Sequence, residues 1–312
     1  MEDIHQVVMI GAGPSALSAA IYTTREDIET VLYEKSVVGG LAAITDKVDN
    51  YPGFAEGIEG MKLADELQKQ AERFGAKIEY GDVSQVRDEG EYRVVTVDGQ
   101  DVKTRAVLIA TGSDYNKLGI PGEAEYYGRG VHYCATCDGA FYREKKLVVV
   151  GGGNSGVQET LFLTRFASHI DLLVRSTLKA SEVLRRDLQQ YIDSGKVTVH
   201  LQTSPQEIVA NEAGKVTHVD ALKEGQPITF ETDGVFVFIG LKPNTQFLAG
   251  SGVELDERGL IKTDEHLATN IPGIYASGDV RSGATMQVAS AVGEGATAAL
   301  SIREFLEDLD RR

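Results

Sequence analysis

Short apolar runs that break at glycine and pass into helical spacing set the pattern of this chain. Gln6 to Ile10 is apolar enough for a buried strand. It leads into Gly11-Ala12-Gly13-Pro14-Ser15-Ala16, after which the apolar positions follow a helical period through Thr24. The same order returns 140 residues later, when Lys146 to Val150 meets Gly151-Gly152-Gly153-Asn154-Ser155-Gly156 and a helix through Phe166. Each copy continues into a second apolar strand, Thr30 to Tyr33 and His169 to Val174. Each later closes with a strand ending in glycine, Ala106 to Gly112 and Gly234 to Gly240. A repeat of this length is a duplicated domain and not a solenoid unit. Alternating strands and helices predict an α/β fold built on open parallel sheets.

Two turn-rich stretches punctuate the repeat: Leu118-Gly119-Ile120-Pro121-Gly122, and Leu241-Lys242-Pro243-Asn244-Thr245. The stretch from Gln246 to Arg312 has no glycine turn of its own, but Ile274 to Asp279 again reads as a strand ending at a ligand, followed by a closing helix, Ala296 to Leu309. It is assigned back to the first copy. The expected domains are therefore 1–117 with 246–312, and 118–245 inserted between them.

A strand, G-x-G-x-x-G/A and a helix bring backbone N–H groups and a helix N-terminus to one point, where a pyrophosphate can sit. Two such turns in the right context predict two dinucleotide sites on Rossmann-like domains. Twenty-three residues after Gly11, Glu34 ends the second strand, where a carboxylate can accept from both hydroxyls of an adenosine ribose. The same step from Gly151 reaches Val174, with Arg175 next and Lys179 shortly beyond. That end has no carboxylate to repel a 2′-phosphate, and it offers two cations.

Charge and cysteine content narrow the chemistry. The 312 residues hold 47 acidic and 31 basic side chains, a net charge of −16, which argues against nucleic acid and anionic membrane surfaces. The longest apolar runs, such as Val235 to Leu241, are far too short to span a bilayer, and the N-terminal residues show no cationic and apolar leader. A soluble cytoplasmic protein is the expectation. Cys134 and Cys137 are the only cysteines, and without further thiols or paired histidines they do not make a metal site. A pair spaced this way near a helix start reads instead as a redox dithiol. Asp138 follows directly, placed either to shuttle a proton or to cap a helix. His132 reads as a packing or surface histidine.

Taken together, Cys134-Ala135-Thr136-Cys137-Asp138-Gly139 in the second unit, Asn50-Tyr51-Pro52-Gly53-Phe54, Ala110-Thr111-Gly112 and Gly278-Asp279-Val280-Arg281 resemble the low-molecular-weight thioredoxin reductases along essentially the whole chain. The resemblance implies a homodimer with FAD on the first unit, held by Gly11, Gly13, Ala16, Glu34, Lys35, Gly39, Gly40, Leu41, Asn50, Val83, Thr111, Gly112, Gly278, Asp279, Met286, Gln287 and Val288. Asp279 would contact the ribityl chain and Gln287 the flavin edge. It implies NADPH, or less favourably NADH, at Gly153, Asn154, Ser155, Arg175 and Lys179. Cys137 would face the flavin, and Cys134 would attack the disulfide of thioredoxin or a similar small redoxin, with Asp138 as acid. The two domains are expected to rotate, because nicotinamide and dithiol need the same flavin face.

The chain departs from that family at several points. Where most members carry His-Arg-Arg and a later Arg as a phosphate clamp, it has Val174-Arg175-Ser176 and Lys179. Gly39-Gly40-Leu41 replaces Gly-Gly-Gln, and Met286-Gln287 replaces Arg-Gln. These losses of polar groups keep open a ferredoxin-linked reductase, a small-molecule dithiol oxidase and, more remotely, a flavin-bearing redox sensor.

Overall fold

A computed structural model describes residues 4–45, 47–48 and 50–311. The chain divides into two units, Met1–Asp114 with Lys242–Arg312, and Tyr115–Leu241.

The first unit opens with β1 (Ile4–Ile10), α1 (Pro14–Thr24) and β2 (Thr30–Glu34). Val7 to Ile10 are almost fully buried, as expected for a strand covered on both faces. Nearly every side chain of α1 is also buried, which explains its run of alanine, serine and threonine. Next come α2 (Gly40–Ala43), α3 (Gly60–Arg73), β3 (Lys77–Tyr80), β4 (Val83–Asp88), β5 (Arg93–Val97), β6 (Gln100–Ile109) and the short β7 (Ser113–Tyr115).

The second unit begins with β8 (Val131–His132), the one-turn helix α4 (Ala135–Asp138) and a 3₁₀ turn over Gly139–Tyr142. It repeats the opening motif as β9 (Lys146–Val150), α5 (Asn154–Leu163) and β10 (His169–Leu173), then adds α6 (Glu182–Asp193) and β11 (Val197–His200). Three strands follow, β12 (Thr203–Ala210), β13 (Val216–Lys223) and β14 (Gln226–Glu231), before β15 (Gly234–Val237). The chain returns through β16 (Leu241–Pro243), which pairs with β7, and completes the first unit with β17 (Ile274–Ala276) and α7 (Val288–Asp310).

The first unit's sheet runs β3-β2-β1-β6-β5-β4. The length of β6 lets it serve two partners on one edge: residues 100–104 pair antiparallel with β5, and Val107 to Ile109 pair parallel with β17. In the second unit β11-β10-β9-β15-β8 is wholly parallel. The antiparallel β4–β5 and the separate sheet β12-β13-β14 correct the expectation of parallel sheets alone. Helices end sooner or start earlier than their apolar spacing suggests: α5 stops at Leu163 instead of Phe166, and α7 begins at Val288. Leu118 to Gly122, read from sequence as a linker, folds within the second unit, where Ile208 donates its amide to the Pro121 carbonyl at 3.0 Å. Among the described residues, no helix is long and apolar enough to cross a membrane, and no cluster of three or more candidate ligands could hold a metal.

Candidate functional site

In the first unit the glycine turn is shaped by two different demands. Gly11 lies at φ +95°, and a β-carbon there would sit 2.6 Å from the Ala110 carbonyl oxygen, so only glycine lets β1 turn beside β6. Gly13 caps α1 with ordinary extended geometry, and a β-carbon there would meet nothing within 4 Å. The packing therefore leaves space at the helix N-terminus that a ligand phosphate can fill. Pro14 follows at the first helical position, where its missing N–H costs nothing.

Glu34 is 8% exposed and held by its own neighbours: Oε2 accepts from Ala12 N at 2.8 Å and Oε1 from Ser36 N at 2.8 Å. Each oxygen keeps a lone pair for a further donor. A cavity of about 370 Å³ opens beside it, and the expected residues Gly11, Glu34, Lys35, Val83 and Thr111 all line it. Asn244 joins them although the sequence marked it only as punctuation. Its amide Nδ2 donates to the Thr111 carbonyl at 3.1 Å, and Thr111 Oγ1 returns a bond to the Asn244 carbonyl at 2.7 Å. Ala16 is wholly buried and does not line this space. Gly39, at φ +97°, donates its amide to Ala12 O at 2.7 Å, which ties the Gly39-Gly40-Leu41 turn to the first glycine turn.

A second group gathers around β17. Gly278, at φ +74°, donates its amide to Glu294 Oε2 at 2.7 Å, and Arg281 grips both oxygens of the same carboxylate at 2.8 and 2.7 Å. Gly112 lies at φ +65° and accepts the Asn244 amide at 3.1 Å. The Asp279 backbone is fixed by Ser113 Oγ at 2.5 Å, while its carboxylate makes no hydrogen bond among the described residues. Burial first, and the charge of Glu294 second, push its pKa up to about 6. Asn50 Nδ2 donates to Gln287 Oε1 at 3.0 Å, joining two expected residues 237 positions apart. Met286 lies just before them in the left-handed region, at φ +56°, ahead of Val288 at the start of α7.

In the second unit, Gly151 (φ +150°) would push a β-carbon to 2.3 Å from Phe238 O, and Gly156 would push one to 2.4 Å from Gly151 O. Gly153 caps α5 and, like Gly13, faces open space. The loop after β10 folds back over this turn: Lys179 N donates to Gly152 O at 2.7 Å, and Ser181 N donates to Asn154 Oδ1 at 2.8 Å. Val174 is buried, while Ser155, Arg175 and Lys179 are exposed at the same end.

Cys134 and Cys137 are joined as a disulfide with Cα atoms 5.3 Å apart. Cys134 is the N-cap of α4, its Sγ accepting from Cys137 N at 3.1 Å. Asp138 does not cap: it ends α4 and its side chain makes no capping bond. Its Oδ2 instead lies 3.3 Å from His132 Nδ1. His132 is no surface residue. It is 5% exposed, with Nε2 at 2.7 Å from the Tyr142 hydroxyl, and sequence reasoning missed this link because β8 and the 3₁₀ turn meet only in three dimensions.

Two glycine-turn units, one carrying a redox disulfide at a helix start, define a nucleotide-dependent disulfide oxidoreductase. The chain belongs to the pyridine nucleotide-disulphide oxidoreductase family, whose model matches residues 5–295. It is a flavoprotein disulfide reductase of the thioredoxin reductase type, and a flavin and a pyridine nucleotide are the cofactors this implies. The thioredoxin reductase of Bacillus subtilis (strain 168) is 42% identical over 311 residues, covering 99% of this chain and 96% of that protein. That of Treponema pallidum (strain Nichols) is 35% identical over 310 residues, covering 99% of both chains. The crystal structure of thioredoxin reductase from Streptococcus pyogenes MGAS5005 superposes with a TM-score of 0.93 at 36% identity, over 99% of this chain and 100% of that one.

Proposed function

We propose that this protein passes electrons from NADPH, through FAD and the Cys134–Cys137 pair, to the disulfide of thioredoxin or a similar small redoxin. The observation that carries the reading is a disulfide at the start of a helix, with Asp138 adjoining, on the same unit as the second glycine turn. The residues of the first unit fit FAD. The open space before Gly13 suits a pyrophosphate, the free lone pairs of Glu34 suit ribose hydroxyls, and the cavity beside them suits an adenosine, which FMN lacks. Asp279, half-buried without a donor, would accept from the ribityl chain, and the Asn50–Gln287 pair would meet the ring edge. NADPH would lie on the N-terminus of α5, with Arg175 and Lys179 toward its 2′-phosphate.

When bound, the flavin supplies two-electron transfer between the nucleotide and the disulfide. The remaining chemistry belongs to the protein. Two electrons and two protons convert the disulfide into two thiols. Cys134, losing its proton to Asp138, attacks the substrate disulfide: a Cys134–sulfur bond forms, the substrate S–S bond breaks, and the leaving thiolate takes the proton back from Asp138. Cys137 then attacks Cys134 Sγ, closing the internal disulfide and releasing the second substrate thiol with the proton Cys137 gave up.

Chromatography of the released cofactor and NADPH-dependent reduction of thioredoxin test this reading. FAD and turnover are expected; FMN, or reduction with ferredoxin alone, would overturn it. The resemblance also supports a homodimer, which sedimentation would register as about twice the 33.7 kDa chain mass.

A further inference from the structure

The dithiol's acid has a buried partner that the proposed chemistry leaves unused. His132, at the end of β8, is packed between the rings of Tyr142 and Phe236, with centroids 5.3 and 5.1 Å away. Its two nitrogens point to two ionisable groups: Nδ1 to Asp138 Oδ2 at 3.3 Å, and Nε2 to the Tyr142 hydroxyl at 2.7 Å. Burying an imidazole costs free energy unless its nitrogens find partners; Nε2 has the Tyr142 hydroxyl in a hydrogen bond and Nδ1 has the Asp138 carboxylate at ion-pair distance.

The donor inventory assigns the tautomer. An ionised carboxylate only accepts, so Nδ1 carries the hydrogen toward Asp138; Nε2 is then the acceptor, and the Tyr142 O–H donates to it. Burial raises the pKa of Tyr142, with the nearby charges of Asp138 and Asp233 adding to the effect, so the phenol keeps its proton. The next ionisable group facing Asp138 is Tyr127, which is also raised, by burial and then by that carboxylate.

We propose that His132 is a positioning residue for disulfide exchange: locked by Tyr142, it holds Asp138 by Oδ2 and leaves Oδ1 to take the Cys134 proton and hand it to the leaving thiolate. This deepens the proposed function and rests on its assignment of Asp138 as the acid. The exchange step is otherwise unchanged, with the same bonds formed and broken and one proton moved from Cys134 to the departing sulfur through Asp138.

The test separates protonation from packing by the leaving group. An aliphatic disulfide, such as bis(2-hydroxyethyl) disulfide, expels a basic thiolate that needs a proton; an aromatic disulfide expels a stable thiolate that does not. The flavin-loaded full chain is reduced, freed of reductant, and mixed anaerobically with each. Asp138→Asn should slow the aliphatic reaction by about a hundredfold and His132→Gln by about tenfold, with clearly smaller losses on the aromatic disulfide, where Asp138 is still needed to take the Cys134 proton but not to protonate the leaving sulfur. His132→Asn, whose amide nitrogen can stand where Nδ1 does, should restore most of the aliphatic rate. Tyr142→Phe, which removes a single oxygen, should show the same selectivity at smaller size, and it keeps the test available if a His132 variant folds poorly. Equal slowing with both disulfides would make His132 a packing residue and overturn the proposal. So would a normal aliphatic rate in His132→Gln alongside a slow Asp138→Asn. A normal rate in Asp138→Asn would instead overturn the reading of Asp138 on which the proposal rests.

Discussion

Asp279 concentrates the conflict between folding and binding in one side chain. Its folded pKa of about 6 lies above the ordinary 3.8, so between those values the folded chain holds a proton that the unfolded chain has released. This group's contribution is therefore most favourable below both values, declines as pH rises through about 6, and stays unfavourable above it. Flavin-free Asp279→Asn should lack that decline and melt higher than wild type at pH 7 in a thermal scan, while binding FAD more weakly. Arg175 makes a separate residue-scale test. Replacing it with alanine should raise the Michaelis constant for NADPH roughly tenfold and leave NADH almost untouched, since about 1.5 kcal/mol of phosphate contact is removed. Equal losses for both nucleotides would assign Arg175 to the loop fold.

At the scale of elements, the two glycines of the first turn should fail differently. Gly13→Ala keeps ordinary backbone geometry and meets no protein atom, so its melting temperature should hold while its flavin content falls. Gly11→Ala combines φ +95° with a clash against Ala110 O, and should lose about 1–3 kcal/mol of stability in denaturant titration. Both turns, their strands and Glu34 were legible because strand, glycine and helix are local signals. The antiparallel strands were there to be read but were not: Asp98-Gly99 and Glu224-Gly225, each with both residues at positive φ, are two-residue hairpin turns between β5 and β6 and between β13 and β14. Asn244 and His132 left no such trace, since their roles depend on segments that meet 133 and 10 residues away in sequence.

For the whole molecule, duplication explains both the fold and the proposed division of labour: β1–α1–β2 and β9–α5–β10 are one motif used twice, with the buried Glu34 carboxylate after the first and exposed cations after the second. The dithiol lies on the second unit, and on the proposed path electrons pass from NADPH to the flavin before they reach Cys137. Anaerobic titration with NADPH, followed by flavin absorbance and by alkylation and mass spectrometry of the cysteines, tests that path most directly. Wild type should take up about two equivalents per chain, one for the flavin and one for the disulfide, with Cys134 and Cys137 becoming alkylated, whereas the doubly serine-substituted chain should take up about one. Full bleaching of the wild-type flavin at a single equivalent, with both cysteines still resistant to alkylation, would contradict the account.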